Sequence, residues 1–190
     1  MSIDADLAKL GPLGVLAGTW EGQPGTDVAP GDPDRNTTAL SKFRERMTFE
    51  PIGLVDNHDQ NLYGLRYSTL AWRIDEVDPF HQEVGYWLWD ADAKQVMRCF
   101  VIPRGISLIA GGHVEPDARE FELAAVLGSP SFGICSNPYL DREFKTLRFV
   151  MKVSILGPDR FAYDEDTVLE MPGRGVFHHT DANTLSRVRA

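Results

Sequence analysis

The chain has 190 residues, 43% of them hydrophobic and 25% charged, a balance that fits one globular domain over residues 1–190 and excludes a disordered or fibrous protein. Its formal net charge of −9, with no Lys/Arg run longer than two, argues against nucleic acid or an anionic membrane as partner, since both would repel it. Two distant cysteines, Cys99 and Cys135, form neither a CxxC zinc pattern nor a disulfide framework, and they read as half-buried thiols of a reducing, cytoplasmic compartment.

In chain order, residues 1–10 carry Asp4 and Asp6 and lack a basic start followed by an apolar run, which speaks against a signal peptide. No stretch approaches the ~20 apolar residues of a membrane helix. Leu7, Leu10, Leu13 and Leu16, three apart, predict a short helix or 3₁₀ turn over residues 4–16 whose length Gly11-Pro12 limits. Gly18-Thr-Trp-Glu-Gly22 opens a strand, and the Gly-, Pro- and Asp-rich residues 23–35 read as a loop.

Strands then follow at short intervals. Residues 43–52 alternate Phe43, Glu45, Met47 and Phe49 against Arg44, Arg46, Thr48 and Glu50. Residues 62–74, 81–89, 95–102, 106–114 and 120–127 carry further strand signals, with turns at 90–94 and at Pro103-Arg104-Gly105. Leu147, Phe149, Met151, Val153 and Ile155 give the clearest period of two, and Gly157-Pro158-Asp159 turns the chain into a partner strand over 160–171. Residues 177–188 form the last strand. About ten strands with no long helix between them predict an all-β fold, a closed antiparallel barrel with a short N-terminal helical cap. Closure removes the exposed edges of so large a sheet; a β-sandwich is the rival architecture.

Several residues invite a functional reading. Trp20 can plug one end of the barrel between its flanking glycines, a structural role in the first instance. Tyr86 faces the opposite side of its strand from Trp87 and Trp89, so one set should line the interior. Arg104, in its turn, suits an anion such as a carboxylate at the barrel mouth, or simply sits in water. His178 and His179 are adjacent on a strand, so one faces inward, as a metal ligand or bonded to a buried partner such as Asp181 or a tyrosine. His58, His81 and His113 show no zinc spacing; His81 and Glu83 lie on one strand face and can hydrogen-bond across the sheet, a structural role in the first instance. Asp164-Glu165-Asp166 reads as a solvated turn or strand edge. No phosphate loop and no GxSxG nucleophile motif is present.

Four motifs occur in a telling order: the GxW element at Gly18–Trp20; Glu45-Arg-Met-Thr-Phe-Glu-Pro-Ile-Gly53; His81-Gln-Glu-Val-Gly-Tyr86; and Pro103-Arg-Gly105 followed by Gly111-Gly112. In this order they resemble the nitrobindin family, ten-stranded barrels of lipocalin-like, fatty-acid-binding-protein-like shape, and the resemblance covers most of the chain. Many members hold haem b through a histidine near the C-terminus, and ferric members isomerise peroxynitrite to nitrate. The resemblance implies haem as cofactor, with His179, three residues before Ala182, in the register of the iron ligand. Two segments depart from the family pattern: Asp27-Val-Ala-Pro30 replaces Tyr-Pro-Thr-Ile, and Thr180-Asp181 makes the histidine's surroundings more polar.

The expected function is therefore a binding barrel for haem or another small apolar ligand, with His178, His179, Tyr86, Trp20 and Arg104 as candidate contacts and His179 as candidate iron ligand. A ligand-free barrel acting as an interaction module and a haem-dependent peroxynitrite isomerase are the alternatives. The oligomeric state, a homodimer included, stays open.

Overall fold

A computed structural model describes residues 7–189. Residues 4–6 of the expected N-terminal helix lie outside this range. The leucines spaced by three form a 3₁₀ segment, Ala8–Leu16, with Leu10, Leu13 and Leu16 buried. Gly11 does not end the segment; it kinks it at φ +54, and a side chain there would run into the Trp89 indole at 2.6 Å.

Eleven strands follow: β1 (Gly18–Pro30), β2 (Thr38–Asn57), β3 (Gln60–Arg73), β4 (His81–Asp90), β5 (Gln95–Ile102), β6 (Ile106–His113), β7 (Glu120–Val126), β8 (Ile134–Ser136), β9 (Lys145–Gly157), β10 (Arg160–Met171) and β11 (Gly175–Arg187). Each pairs antiparallel with its neighbours, and the pairings of β5 with β6 and of β1 with β11 close the ring. Ten strands make the barrel, as their two-residue periodicity predicts. The eleventh, the three-residue β8, pairs with the mouth half of β6. Along the seam between β6 and β7, the single register pair is Gly111 with Ala124.

Two segments differ from the sequence reading. Residues 23–30, rich in Gly and Pro, are not a loop but the second half of β1, paired with β2 and β11 across a bulge between Gly22 and Gly25. Flanking strands on both sides override the local loop signal. Between β8 and β9 a single helix, α1 (Pro138–Glu143), is started by Asn137, whose side chain accepts from the backbone N–H groups of Tyr139 and Leu140.

The barrel is filled at one end and open at the other. Trp20, Phe49, Leu65, Trp87, Trp89, Phe161 and Leu185 pack the filled end beneath the 3₁₀ segment. Trp20 sits edge-to-face on Phe161 at 4.9 Å and donates its indole N–H to the Leu16 carbonyl at 2.7 Å, tying the cap to the core. Toward the other end the inward positions carry polar side chains, and the loops after β1, β3 and β5 form a mouth with α1. No helix among the described residues is long and apolar enough to cross a membrane. Trp20→Ala is expected to lower the unfolding free energy by about 3–5 kcal/mol in chemical denaturation, through the cavity it leaves and the loss of its tie to Leu16.

Candidate ligand-binding cavity

Strand alternation decides what faces the open half of the barrel. On β2 the inward series is Phe43, Glu45, Met47; on β3, Thr69 and Ala71; on β4, His81 and Glu83; on β10, Tyr163, Glu165, Thr167 and Leu169; on β11, His179 and Asp181. These side chains enclose a cavity of about 700 Å³, within the range of small-molecule sites. Its upper walls are largely apolar, with Phe43, Phe80, Leu140, Phe144 and Leu169, and Arg35 and Arg104 stand at the mouth.

The floor is charged. Arg98 of β5, fully buried, donates to Glu83 of β4 and, at 3.0 Å, to Glu165 of β10, joining non-neighbouring walls. Its guanidinium lies 4.2 Å from the Phe100 ring centroid, and Tyr67 donates its hydroxyl to Glu83 at 2.7 Å. Burial works against the Glu83 carboxylate, but Arg98 and then His81 hold it ionised, down to about 2. Burial dominates at Glu165 and leaves its carboxyl above the usual range despite Arg98. Glu45 has only neutral partners, Tyr163 Oη at 2.9 Å and Asn183 Nδ2 at 2.9 Å, and burial raises it to about 7.

A second cluster lies one rung nearer the mouth, where Thr167 faces His179. His179 Nε2 is 3.0 Å from Asp27 Oδ1 and 3.5 Å from Asp181. Asp27, itself buried, also accepts from Arg73 at 2.6 Å and from Ser41 at 2.8 Å. Burial disfavours the His179 imidazolium, but Asp27 and Asp181 raise its proton affinity above that of a free imidazole. Asp181 is pushed up to about 7 by burial. Asp27, His179 and Asp181 bring ligand atoms within 4.8 Å of one another, although Arg73 already neutralises Asp27.

The residues singled out from sequence divide by position. His179 and Arg104 line the cavity, Arg104 with its guanidinium 4.9 Å from the Phe144 ring centroid. His178 points outward to Asp166 at 2.8 Å, its side chain 62% exposed. Tyr86 is on the outer surface, because Trp87 and Trp89 take the inward phase of β4. Trp20 belongs to the filled end and does not line the cavity. The acidic run is not solvated throughout: alternation turns Glu165 inward to Arg98. His81 and Glu83 bond to each other at 3.0 Å along their own strand, and it is Glu83 that bonds across the sheet, to Tyr67 and Arg98; both line the cavity. Cys135 is exposed rather than half-buried, and Cys99 is partly buried; both thiols are free. Glu45, Glu165 and Arg98 are the floor residues that sequence reasoning passed over. The signal was there for two of them: Glu45 shares the phase of Phe43 and Met47, and Glu165 that of Phe161 and Tyr163.

Comparison with known proteins places these features in context. Residues 9–187 match the family described as the THAP4-like, heme-binding beta-barrel domain. A protein named peroxynitrite isomerase from Leifsonia xyli subsp. xyli (strain CTCB07) is 36% identical over 111 residues, 55% of this chain and 50% of that protein. Another of that name from Clavibacter sepedonicus is 37% identical over 83 residues, 42% of this chain and 35% of its own length. The chain thus spans half or less of these curated relatives. The crystal structure of Rv2717c from M. tuberculosis superposes with a TM-score of 0.67 at 22% identity, covering 95% of this chain and 98% of that one, a likeness of fold.

Glu45 of the floor and Asp181 of the cluster above it both make stability fall as pH rises toward about 7. Glu45 binds its proton more tightly folded than unfolded, so its contribution is fully present below its ordinary value of 4.5 and declines as pH rises to about 7. Glu45→Gln is expected to flatten that decline and to raise stability at pH 8 by on the order of 1–3 kcal/mol, read from urea titrations at several pH values. Arg98→Met, which strands two buried carboxylates, is expected to lose about 3–5 kcal/mol at pH 7.

Proposed function

The chain belongs to the family of THAP4-like, heme-binding β-barrel domains, and from that membership we propose that its cavity takes haem b, with His179 the residue that would hold the iron. The carrying observation is the setting of that side chain. His179 stands on the cavity wall with Nε2 bonded to the buried carboxylate of Asp27, and Nδ1 has no hydrogen bond among the described residues. A carboxylate behind a histidine is the arrangement that orients metal-bound imidazoles and raises their basicity. With Nε2 on Asp27, Nδ1 is the nitrogen left to hold iron, and a neutral imidazole of this kind fits the group.

The rest of the upper cavity accords with it. Phe43, Phe80, Leu140 and Phe144 offer a flat apolar ligand walls and keep water from it. Arg35 and Arg104 at the mouth are placed to receive carboxylates; Arg35 is paired with Glu143 at 2.9 Å and would share its charge. When bound, haem would supply an iron centre whose reactivity is set by its axial ligand and by the polarity of the pocket. The protein's own part is to hold the imidazole through Asp27, to anchor the ligand's acidic groups at the rim and to shield its apolar faces.

Peroxynitrite isomerisation is the second reading. Its support is the name borne by the relatives from Leifsonia xyli and Clavibacter sepedonicus, and it requires haem first. A reducing, cytoplasmic setting accords with the free thiols of Cys99 and Cys135. Nucleic acid is an unsuitable partner for a chain of net charge −9.

Titration of the protein with hemin, followed by absorbance, tests the proposal. A Soret band shifted from that of free hemin is expected for the unmodified protein and for His178→Ala, and its loss is expected for His179→Ala. A spectrum that stays that of free hemin, or one indifferent to His179→Ala, overturns the assignment.

A further inference from the structure

The charged floor is unexplained by haem, whose iron would be held at His179 above it and whose ring brings no cation to the floor. Tyr163 and Asn183, and the Glu45 carboxylate they contact, lie two rungs below His179 along β10 and β11. There one guanidinium, that of Arg98, is shared by Glu83 and Glu165, while Glu45 has no cationic partner. Even with His81 beside Glu83, three carboxyls face one guanidinium and one imidazole in a place from which water is largely removed, an arrangement that costs free energy until a further positive charge arrives. Burial first, and then the nearby Glu83 and Glu165 carboxylates, raise Glu45 to about 7.

An independent observation points to a missing ligand. Thr69, 4% exposed, lines the cavity between Met47 and Glu83, and its hydroxyl is buried with no hydrogen-bond partner among the described residues. Buried hydroxyls are almost always paired, so an unpaired one on a cavity-lining residue calls for a partner. Above the floor the lining includes the apolar Phe43, Phe80 and Leu169 as well as the polar His179 and Asp181.

We propose that the floor formed by Glu45, Glu165 and Thr69 is an ammonium subsite, and that the cavity takes a small molecule with a protonated primary amine at one end and an apolar body at the other. The head would lie against the Glu45 and Glu165 carboxylates and donate to Thr69 Oγ1, and the body would rise between Phe43, Phe80 and Leu169. No bond is made or broken; the interaction is charge pairing with three N–H donors, which an ammonium provides. An acid of the same shape would place its charge against like charge and be rejected. This inference rests on the cavity being a ligand site, and not on haem.

The test uses the full chain without haem at about pH 8, where a primary amine stays protonated. Calorimetry is run with phenylalkylamines carrying two, three or four methylenes, with the matching phenylalkanols and phenylalkanoates as isosteres. At least one amine is expected to bind, with its alcohol roughly tenfold weaker and its carboxylate showing no heat. Glu45→Gln and Glu165→Gln are each expected to weaken the amine roughly tenfold or more, and Thr69→Val several-fold. Thermal unfolding of each variant confirms that it is folded. Carboxylates binding as well as amines, or amine affinity indifferent to both glutamine variants, overturns the proposal. Hemin binding with no amine bound overturns this inference and leaves haem as the ligand. Neither hemin nor any amine binding overturns both readings.

Discussion

A single guanidinium holds the middle of this barrel. Arg98 rises from β5, takes Glu83 on the adjacent β4, and reaches across the interior to Glu165 on β10. A ladder of backbone hydrogen bonds joins only neighbouring strands, whereas this link fixes opposite walls at a set distance. Such a group is tolerated only while its charge is matched, which binds the positions of Glu83, Glu165 and Tyr67 to one another. Beneath it the barrel is packed with aromatic and aliphatic side chains; above it the space is open. Arg98 is the boundary between the part that folds the chain and the part that meets a ligand.

That boundary also explains why two chemically unlike regions share one cavity. The upper storey is apolar and bears the His179–Asp27 pair, and the lower storey concentrates carboxylates around Arg98 and Tyr163. The proposed haem site belongs to the first. Family membership supports it, and the buried carboxylate behind His179 gives it a physical basis. The lower storey responds to charge, and its carboxyls respond oppositely to the same burial. Glu83 is drawn down by Arg98, while Glu45 drifts upward among neutral partners.

Most of the fold was legible because antiparallel strands write their inside and outside into alternate residues. Leu147 to Ile155 and the turn at Gly157-Pro158-Asp159 gave a hairpin, and the structure has it as β9 and β10. Residues 23–30 were misread because Gly and Pro report local freedom and not the two partner strands that hold this segment extended. Within the site, alternation gave opposite faces to His178 and His179 but could not say which was inner; that depends on the register of β11 against β10. Glu45 was in plain view on the apolar face of its strand. Its meaning was hidden because the partners, Tyr163 and Asn183, are more than a hundred residues away along the chain. Asp27 stood in a segment noted only for departing from the family pattern, and it proves to be the residue that grips His179.

The sparse join between β6 and β7 carries a mechanical consequence. Elsewhere the staves are fastened along many rungs, but here Gly111 and Ala124 make one, and the stretch around β8 fills the gap, pairing with Ile106–Leu108 of β6 and reaching β7 through the Val126 N–H to the Phe132 carbonyl. Local opening takes the route that breaks the fewest hydrogen bonds. The cylinder therefore has its sparsest seam along one side, the line at which local opening would break the fewest backbone hydrogen bonds.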